Sequence, residues 1–306
     1  MAKASFEVGD LVAVIGDNSP DEEHGQRAGY NGVWALRHRT GDRSLFVPGI
    51  SGLNLEHIIS GEGEEDRDVF FEPRRAPMGF RRLGETGAEL HQPPTPTFFL
   101  ESWTRIELRE PHYLDMTFRC RATQHVFPYG YIGLFWASYI NGPLDKSMYF
   151  PGGWTDRPGT DLWSQLCTPA HNRDSTVRGR NDDFRMTFME GSPNALYKNF
   201  SPLVWDRPCF YGHFEDHVFL VMIDGEDTVR LTHSPSGGGV NRDRSTTNPA
   251  WDFQYIIPDY EINMEYELRV RTVFRERCPR EEIEAELDAW MPGRESGDTN
   301  TKEGEP

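Results

Sequence analysis

The sequence predicts a mainly β protein, a large twisted antiparallel β-sandwich with one C-terminal helix. Three observations support this fold class. The chain of 306 residues contains 29 glycines, 22 prolines and 12% aromatic residues, a composition that favours strands, turns and stacked rings. Many segments alternate apolar and polar residues with the period of two of a half-buried strand. Helical spacing of apolar residues is clear in one segment, near the end of the chain.

The first third of the chain predicts strands followed by an irregular connection. DLVAVIGD (10–17) is predicted as the first strand, and NGVWALRHR and SLFVPG as two further strands joined by the turn TGD. The segment from FFEPRRAPMG to TPTFF is rich in Pro, Gly and Arg. We expect it to form an irregular, packed connection.

The middle of the chain predicts paired strands. SWTRIELRE and HYLDMTFRCRAT both alternate, with Leu114, Met116 and Phe118 on one side, which predicts an antiparallel pair around the turn EPH. GYIGLFWASYING is apolar or aromatic at nearly every position, as expected of a strand covered on both faces. HVFLVMID and TVRLTHSP predict a hairpin about the turn DGED, and DFQYIIPDYEINMEYELRVRTVFR predicts two closing strands.

The C-terminal segment PREEIEAELDAWM (279–291) predicts the helix. Ile283, Leu287 and Trp290 form one stripe, and a proline stands at its start. Residues 292–306 offer no apolar anchor, which predicts a disordered acidic tail. The predicted organisation is therefore a single β-sandwich domain over residues 1–291 followed by this tail.

Charge and cysteine usage exclude several classes of partner. The net charge of −17 repels phosphate backbones, which excludes nucleic acid. No apolar run could span a bilayer and no signal sequence follows Met1, so we expect no membrane partner and a cytoplasmic location. The four cysteines are widely separated and form no CxxC pair, which predicts buried free thiols. A homo-oligomer remains open.

The segment YGHFEDHVFLVMIDGED (211–227) contains a candidate metal site. His213, Glu215 and His217 occupy every second position, so on one strand they would line one face. Imidazoles with a carboxylate suit a divalent metal ion such as Zn, Mn, Fe or Ni. Substrate contact, acid–base catalysis and the plain polar mouth of a strand are the alternatives. The turn DGED would bring His233 close to His217.

The loop QLCTPAHNRDS contains a second candidate site. His171, Arg173 and Asp174 stand close together in a polar segment without periodicity. A carboxylate beside an imidazole can orient it as a general base, and an arginine can hold an anion with two parallel hydrogen bonds. The alternative is a surface loop stabilised by local side-chain turns.

Aromatic and glycine-rich segments complete the candidates. In THSPSGGG, glycines after His233 let the backbone approach a ligand, and Trp251 is a candidate wall for stacking a sugar. Tyr129 brings an amphipathic ring near His125. Plain core packing is the alternative for these aromatic residues.

Glu56 is a candidate for contacting substrate. It precedes His57 in GLNLEHI. Adjacent residues of a strand face opposite sides, so only one of the two is expected in a given cleft.

Three segments carry a resemblance to known proteins. YNGVWALRHRTGDRSLFVPGISGLNLEHI, YIGLFWASYINGPLDKSMYFPG and SPSGGGVNRDRSTTNPAWDFQYIIPDYE resemble a β-sandwich family of saccharide-degrading bacteria, over most of the chain. In organisation the chain is also similar to the galactose-mutarotase-like supersandwich, which hosts epimerases, lyases and glycoside-hydrolase domains. The resemblance implies a supersandwich-like fold and a saccharide or glycoside ligand. The paired histidines and late glutamate of the mutarotase motifs do not align, so it implies no mechanism.

Together these observations predict a carbohydrate-active enzyme that cleaves a glycosidic bond or a modified sugar by His/carboxylate acid–base chemistry, with a divalent metal ion as an option. The alternatives are a non-catalytic carbohydrate-binding β protein and a sugar epimerase or isomerase. Convergence of the candidate histidines within about 10 Å favours an enzyme, and their dispersal favours a binding module. The catalytic candidates are His125, His171, Asp174, His213, Glu215 and His233; the substrate-binding candidates are Arg173, Tyr129, Trp251 and Glu56; the metal candidates are His213, Glu215 and His217.

Overall fold

The computed structural model describes residues 2–62, 66–157, 162–225 and 228–291. Within them the protein is mainly β, with two antiparallel-rich sheets and a C-terminal helix, so the predicted fold class is confirmed. The predicted tail, residues 292–306, lies outside the described residues. The division into one domain and a tail stays a prediction.

The described residues contain eighteen strands, three α-helices and one 3₁₀ helix. The strands are β1 (Lys3–Val8), β2 (Leu11–Gly16), β3 (Gly32–His38), β4 (Asn54–Ile59), β5 (Gly79–Leu83), β6 (Gly87–Gln92), β7 (Leu100–Arg109), β8 (Tyr113–Ala122), β9 (Tyr131–Ala137), β10 (Met148–Trp154), β11 (Trp163–Leu166), β12 (Thr176–Gly179), β13 (Phe200–Trp205), β14 (Cys209–Phe214), β15 (His217–Asp224), β16 (Val229–Ser234), β17 (Ala250–Pro258) and β18 (Tyr266–Glu276). The helices are α1 (Arg67–Phe70), α2 (Glu72–Arg75), α3 (Arg280–Trp290) and the 3₁₀ helix Leu196–Lys198.

A small sheet is formed by β1, β2 and β3 in that order. Leu11, Ala13 and Ile15 are buried on one side of β2, which explains why the predicted first strand forms. The predicted strand SLFVPG is wrong: Phe46 makes an isolated bridge to Ile140, and the rest of that segment is irregular. Leu45 and Phe46 are buried in the core without belonging to a strand.

The large sheet has the order β4-β9-β17-β16-β12-β13-β10-β14-β15-β18-β8-β7-β6-β5, with β11 also paired to β10. Its two halves fold over each other. The Phe118 ring on β8 meets the Trp136 ring on β9 edge to face, with centroids 4.8 Å apart, although the two strands are far apart in the sheet order. The same main apolar cluster takes residues from both halves and from the small sheet, so the core lies between the layers.

The strands β7 and β8 pair over their whole length, as the sequence predicts. Leu114, Met116 and Phe118 are buried on one face, because their alternation matches the pleat of a sheet with one covered side. The two predicted closing strands are β17 and β18.

The segment 211–227 is not one strand, which corrects the sequence prediction. The chain turns back at Glu215 and Asp216, so that His213 lies opposite Val218 in the β14–β15 hairpin. Glu215 takes a positive φ of 53° in this turn. His213, Glu215 and His217 therefore do not follow one another along a single strand face.

The predicted hairpin of HVFLVMID with TVRLTHSP is also wrong. β15 pairs with β14 and β18, whereas β16 pairs with β17 and β12. Both edges of β15 are occupied by other strands, and β16 lies in another part of the sheet. The predicted proximity of His217 and His233 is lost with this hairpin.

Every residue of β9 is buried, as predicted for a strand covered on both faces. Leu134 and Trp136 face the core between the layers. Phe135 and Ala137 face the other side, where they pack in a second cluster with Tyr197 of the 3₁₀ helix. This second side of β4, β9 and β17 carries the candidate site.

The C-terminal helix α3 forms where the apolar stripe predicts it. Ile283 and Leu287 are buried against Leu220 and Met222 of β15, which covers the outer side of that strand. The four cysteines are free, and Cys167 is exposed, so its predicted burial is wrong. No helix among the described residues is both long and apolar enough to cross a membrane.

Candidate active site

A cavity of about 650 Å³ opens on the second side of β4, β9 and β17, within the size range of small-molecule sites. Its floor comes from the strands, and its walls come from the short helices α1 and α2 and from the segments 171–172 and 193–197. The residues lining the cavity are Tyr30, Glu56, His57, Phe70, Phe71, Arg74, Phe135, Tyr139, His171, Asn172, Pro193, Asn194, Ala195, Leu196, Tyr197, Gly237, Ala250 and Asp252.

Glu56 and His57 both face this cavity, although they are adjacent on β4. The register between β4 and β9 shifts between Leu55 and His57, so Glu56 is the extra residue of a β-bulge. A bulge interrupts the alternation of side chains, which is why the expectation that only one of them faces a cleft is wrong.

The Glu56 carboxylate is buried and accepts hydrogen bonds from two side chains. The Tyr139 hydroxyl donates at 2.5 Å and Arg74 Nη1 donates at 3.0 Å, both to Oε1. Burial by itself raises the pKa of Glu56, but the nearby His57 and Arg74 and these hydrogen bonds outweigh it, so the pKa is lowered. Glu56 is therefore a carboxylate in the native protein.

His57 joins this carboxylate to helix α1. Its Nδ1 lies 3.0 Å from the Phe70 carbonyl oxygen, and its Nε2 lies 3.3 Å from Glu56 Oε2. Both ring nitrogens thus face oxygen atoms, which fixes the orientation of the ring between the carboxylate and the helix. The ring also packs on Phe70 at 4.0 Å and on Phe135 at 5.1 Å between centroids.

Asp252 is a second buried carboxyl group in the same cavity, and its pKa is shifted in the opposite direction. It lies on β17, is 1% exposed and accepts a hydrogen bond from the Ser138 backbone N–H at 2.9 Å. Burial raises the pKa of Asp252 well above its ordinary value, and the negative charge of Glu56 raises it further. The pKa values of the two carboxyl groups that line the cavity are therefore shifted in opposite directions.

Tyr139 lines the cavity together with the two carboxyl groups. Burial, followed by the charge of Glu56, raises its pKa well above the ordinary value. Its hydroxyl consequently stays protonated and serves as a donor to Glu56.

His171 reaches the cavity from the loop after β11. Its Nδ1 lies 2.8 Å from Ser234 Oγ, and Nε2 makes no hydrogen bond to any residue that the structure describes. Burial lowers the pKa of His171, with a smaller opposing effect from Glu56, so the ring is neutral at pH 7. The side-chain oxygen of neighbouring Asn172 is buried and has no partner in the described part of the chain, which leaves an acceptor available to a ligand.

Aromatic rings provide much of the remaining wall. The Arg74 guanidinium lies 3.9 Å from the Tyr30 ring centroid, and the Tyr30 and Tyr139 rings meet edge to face at 6.0 Å. Rings of this kind offer apolar faces, with polar groups at their rims. The cavity thus combines flat apolar walls with a few convergent polar groups.

Of the residues predicted from the sequence, Glu56 and His171 line this cavity. Arg173 and Asp174 do not, although they follow His171 directly. Both are exposed, with Arg173 Nε 3.9 Å from Asp174 Oδ2. The arginine that lines the cavity is Arg74, which sequence reasoning missed.

His233 and Trp251 lie in the protein interior and do not line the cavity. Both are fully buried and both donate to the Lys146 carbonyl oxygen, at 2.8 Å from His233 Nε2 and 2.9 Å from Trp251 Nε1. Burial lowers the pKa of His233 to about 4. Trp251 also packs so closely on β14 that a Cβ at Gly212 would lie 2.2 Å from its ring. Neither side chain is available for a sugar.

His125 and Tyr129 lie away from the cavity. His125 is exposed and lines a separate cavity of about 520 Å³, with its Nδ1 3.5 Å from the Tyr260 hydroxyl. Tyr129 is half-buried and packs at the edge of the second apolar cluster.

The three predicted metal ligands point to different partners. His213 packs between Tyr149 and Tyr211, and Glu215 Oε1 accepts from Arg43 at 2.9 Å. His217 Nε2 lies 3.1 Å from Thr40 Oγ1. In the described ranges, ligand atoms converge at a different place, in the largely exposed group Asp21, Glu23 and His24. The predicted triad therefore does not form, because the hairpin turn separates its members.

Sequence reasoning also missed Asp252 and Tyr139. Asp252 carried a usable signal, since it is a carboxylate within the apolar run AWDFQYII of a buried strand, where a charged residue is unusual. Arg74 lies in an irregular proline-rich segment, and no local pattern points to it.

Comparisons with known proteins concern the fold. No family model and no curated protein matches this sequence. The chain is similar to the solved structure of 4-alpha-glucanotransferase from Thermococcus litoralis, with a TM-score of 0.50 and 10% identity, over 90% of this chain and 37% of that one. It is also similar to a putative aldose 1-epimerase from Escherichia coli K12, with a TM-score of 0.49 and 10% identity, over 90% of this chain and 99% of that one. A third is a galactose mutarotase related enzyme from Lactobacillus acidophilus, with a TM-score of 0.48 and 11% identity, over 90% of this chain and 100% of that one. The likeness to the glucanotransferase shows a shared fold, and identities of this size carry no activity with them.

Proposed function

We propose that the protein is a carbohydrate-active enzyme that cleaves a glycosidic bond or a modified sugar by acid–base chemistry in the cavity described above. One observation carries the proposal: Glu56 and Asp252 line the same cavity, and their surroundings move their pKa values in opposite directions. Two carboxyl groups whose pKa values are shifted apart supply a proton donor and an anion at the same pH.

In this proposal Asp252 is the general acid. Its raised pKa keeps the proton available at neutral pH, where an ordinary aspartate has none to give. Donation to the oxygen of a leaving group leaves Asp252 as a carboxylate. Removing a sugar residue in this way builds positive charge at its anomeric carbon.

Glu56 is proposed to stabilise that positive charge. Its carboxylate receives hydrogen bonds from Tyr139 and Arg74, which fix its orientation and lower its affinity for a proton. A buried carboxylate acts more strongly than one in water, because the cavity wall has a low dielectric constant.

His171 is proposed as the general base. Its lowered pKa keeps the ring neutral, and Nε2 is available because Nδ1 is engaged with Ser234. A neutral imidazole can take a proton from a water or from a sugar hydroxyl.

The candidate histidines proposed from the sequence do not converge, and by that criterion alone a binding module would be favoured. A different set converges instead, namely Glu56, His57, His171 and Asp252. The saccharide ligand is supported by the aromatic rings of the wall. The same acid and base could also serve an epimerase, so the experiment below distinguishes the three functions by product.

The test measures turnover of a panel of glycosides and uronic-acid polymers by the wild type, Asp252→Asn and His171→Gln, with His213→Gln as the control. His213 lies away from the cavity, so we expect its variant to match the wild type. We expect kcat to fall by roughly 100-fold or more in each cavity variant, with ligand affinity largely kept.

Full activity in both cavity variants would refute the assignment. Binding by the wild type without any turnover would identify a carbohydrate-binding protein. Conversion between stereoisomers without cleavage would identify an epimerase.

A further inference from the structure

A second cavity, also of about 650 Å³, adjoins the candidate active site. We call it the flanking cavity. It is lined by Asn18, Ser19, Pro20, Ala28, Gly29, Phe71, Arg74 and Arg75. Phe71 and Arg74 also line the candidate active site, so these two side chains form the wall that the two cavities share.

Arg74 reaches from one cavity to the other. Its Nε donates to the Gly29 carbonyl oxygen at 2.7 Å, on the side of the flanking cavity. Its Nη1 donates to Glu56 at 3.0 Å, in the candidate active site. The guanidinium also lies over the rings of Tyr30 at 3.9 Å and Phe71 at 4.9 Å. The wall is therefore about one side chain thick, and ligands in the two cavities would be neighbours.

Among the residues that the structure describes, two arginines and no carboxylate line the flanking cavity, in a chain whose net charge is −17. Arg74 is largely neutralised by Glu56. Arg75 pairs with Asp68, but both side chains are exposed, at 54% and 71%. An exposed pair of this kind contributes little, so a ligand anion can replace Asp68 at small cost.

The rest of the lining fits a polar ligand. Asn18 Nδ2 donates to the Ala76 carbonyl oxygen at 2.7 Å, which ties this loop to the end of helix α2. Within the described residues the Ser19 hydroxyl makes no hydrogen bond, so it can donate to a ligand. Pro20 and Ala28 are exposed, which leaves the cavity accessible.

We propose that the flanking cavity binds an acidic substituent, a carboxylate or a sulfate, on the sugar residue next to the one held in the candidate active site. The ligand is then an acidic oligosaccharide and not a free neutral sugar. The planar guanidinium of Arg75 can bind either anion through two parallel hydrogen bonds. This inference rests on the proposed function, since it names the substrate class of that site.

The test uses defined oligosaccharides of two to four residues in neutral, uronic-acid and sulfated forms. Titration calorimetry measures their affinity for the wild type, Arg75→Gln and Ala28→Trp. Arg82→Gln is the matched control, because Arg82 is also exposed and paired with an exposed glutamate, Glu85. Thermal unfolding of each variant confirms that it is folded.

We expect the wild type to bind an acidic oligosaccharide at least about tenfold more tightly than the neutral one of equal length. Arg75→Gln should weaken acidic ligands by roughly five- to tenfold and leave neutral ligands unchanged. Ala28→Trp should weaken every oligosaccharide but not a single-residue glycoside, because the indole fills only the flanking cavity. Arg82→Gln should change nothing.

Equal affinity for neutral and acidic oligosaccharides, or no binding of any acidic one, would overturn the inference. The uronic-acid and sulfated forms show which anion the cavity takes. Failure of the proposed function has a different result. In that case the wild type prefers acidic oligosaccharides, and Arg75→Gln removes the preference, but no ligand is turned over.

Discussion

Replacing Asp252 by Asn tests the central electrostatic assignment. Asn has nearly the same shape, and its carbonyl oxygen can still accept the hydrogen bond that the Ser138 N–H donates at 2.9 Å. It cannot ionise. Any difference in pH dependence between the two proteins therefore reports the protonation of Asp252.

The expected magnitude follows from proton linkage. In the unfolded chain Asp252 loses its proton near pH 3.9, whereas in the native protein burial and the charge of Glu56 raise the pKa well above that value. Between these two pKa values the native state binds one more proton than the unfolded state. The free energy of unfolding of the wild type then falls by about 1.4 kcal/mol per pH unit as the pH rises. Asp252→Asn lacks this contribution, so it should gain up to about 2.7 kcal/mol relative to the wild type from pH 5 to pH 7.

Urea unfolding at pH 5, 6 and 7 measures this difference directly. Asp156→Asn is the control, since Asp156 is exposed, and its curve should run parallel to that of the wild type. If Asp252→Asn also runs parallel, Asp252 is ionised in the native protein. That result would remove the general acid from the proposed mechanism.

Three further substitutions test the packing and charge of the structure. Tyr139→Phe removes the hydroxyl that donates to the buried Glu56 carboxylate at 2.5 Å, and we expect a loss of about 1–3 kcal/mol in urea unfolding; an unchanged midpoint would contradict that hydrogen bond. The rings of His38 and His217 lie 4.6 Å apart, and burial lowers both pKa values, so wild-type stability should fall as the pH drops below about 6.5. His217→Gln should reduce that fall in thermal unfolding between pH 7 and pH 5, and equal slopes would count against it. Leu287→Ala should lower the free energy of unfolding in urea by about 2–5 kcal/mol, because Leu287 is 1% exposed on the buried side of α3; a loss below about 1 kcal/mol would show that the helix packs loosely.

Local periodicity was sufficient for elements whose pattern matches their own surroundings. The β7–β8 pair and helix α3 were predicted because alternation with a period of two, or spacing close to 3.6, follows directly from having one buried side. The turn at Glu215 was not predicted from the sequence, because a tight turn needs few characteristic residues. His213 and His217 have the spacing of a strand but lie on the two arms of a hairpin.

The candidate site was predictable only in part. Glu56 and His171 were selected from the sequence and line the cavity, whereas His213 and His233 were selected by the same reasoning and do not. Residue type suggested chemistry in all four cases. Their places in the sheet separated them, since the His233 ring is hydrogen-bonded to Thr168 and to the Lys146 carbonyl oxygen, and His213 packs against Tyr149 and Tyr211.

By itself the sequence determined the β class, the strand alternation and the C-terminal helix, because these follow from composition and from neighbours along the chain. Only the tertiary structure decided which side chains share a cavity. β4, β9 and β17 are distant in sequence but adjacent in the sheet, and a bulge at Glu56 breaks the alternation there. The opposite pKa shifts of Glu56 and Asp252 arise because the fold buries both groups but pairs only Glu56 with the Arg74 guanidinium and the Tyr139 hydroxyl.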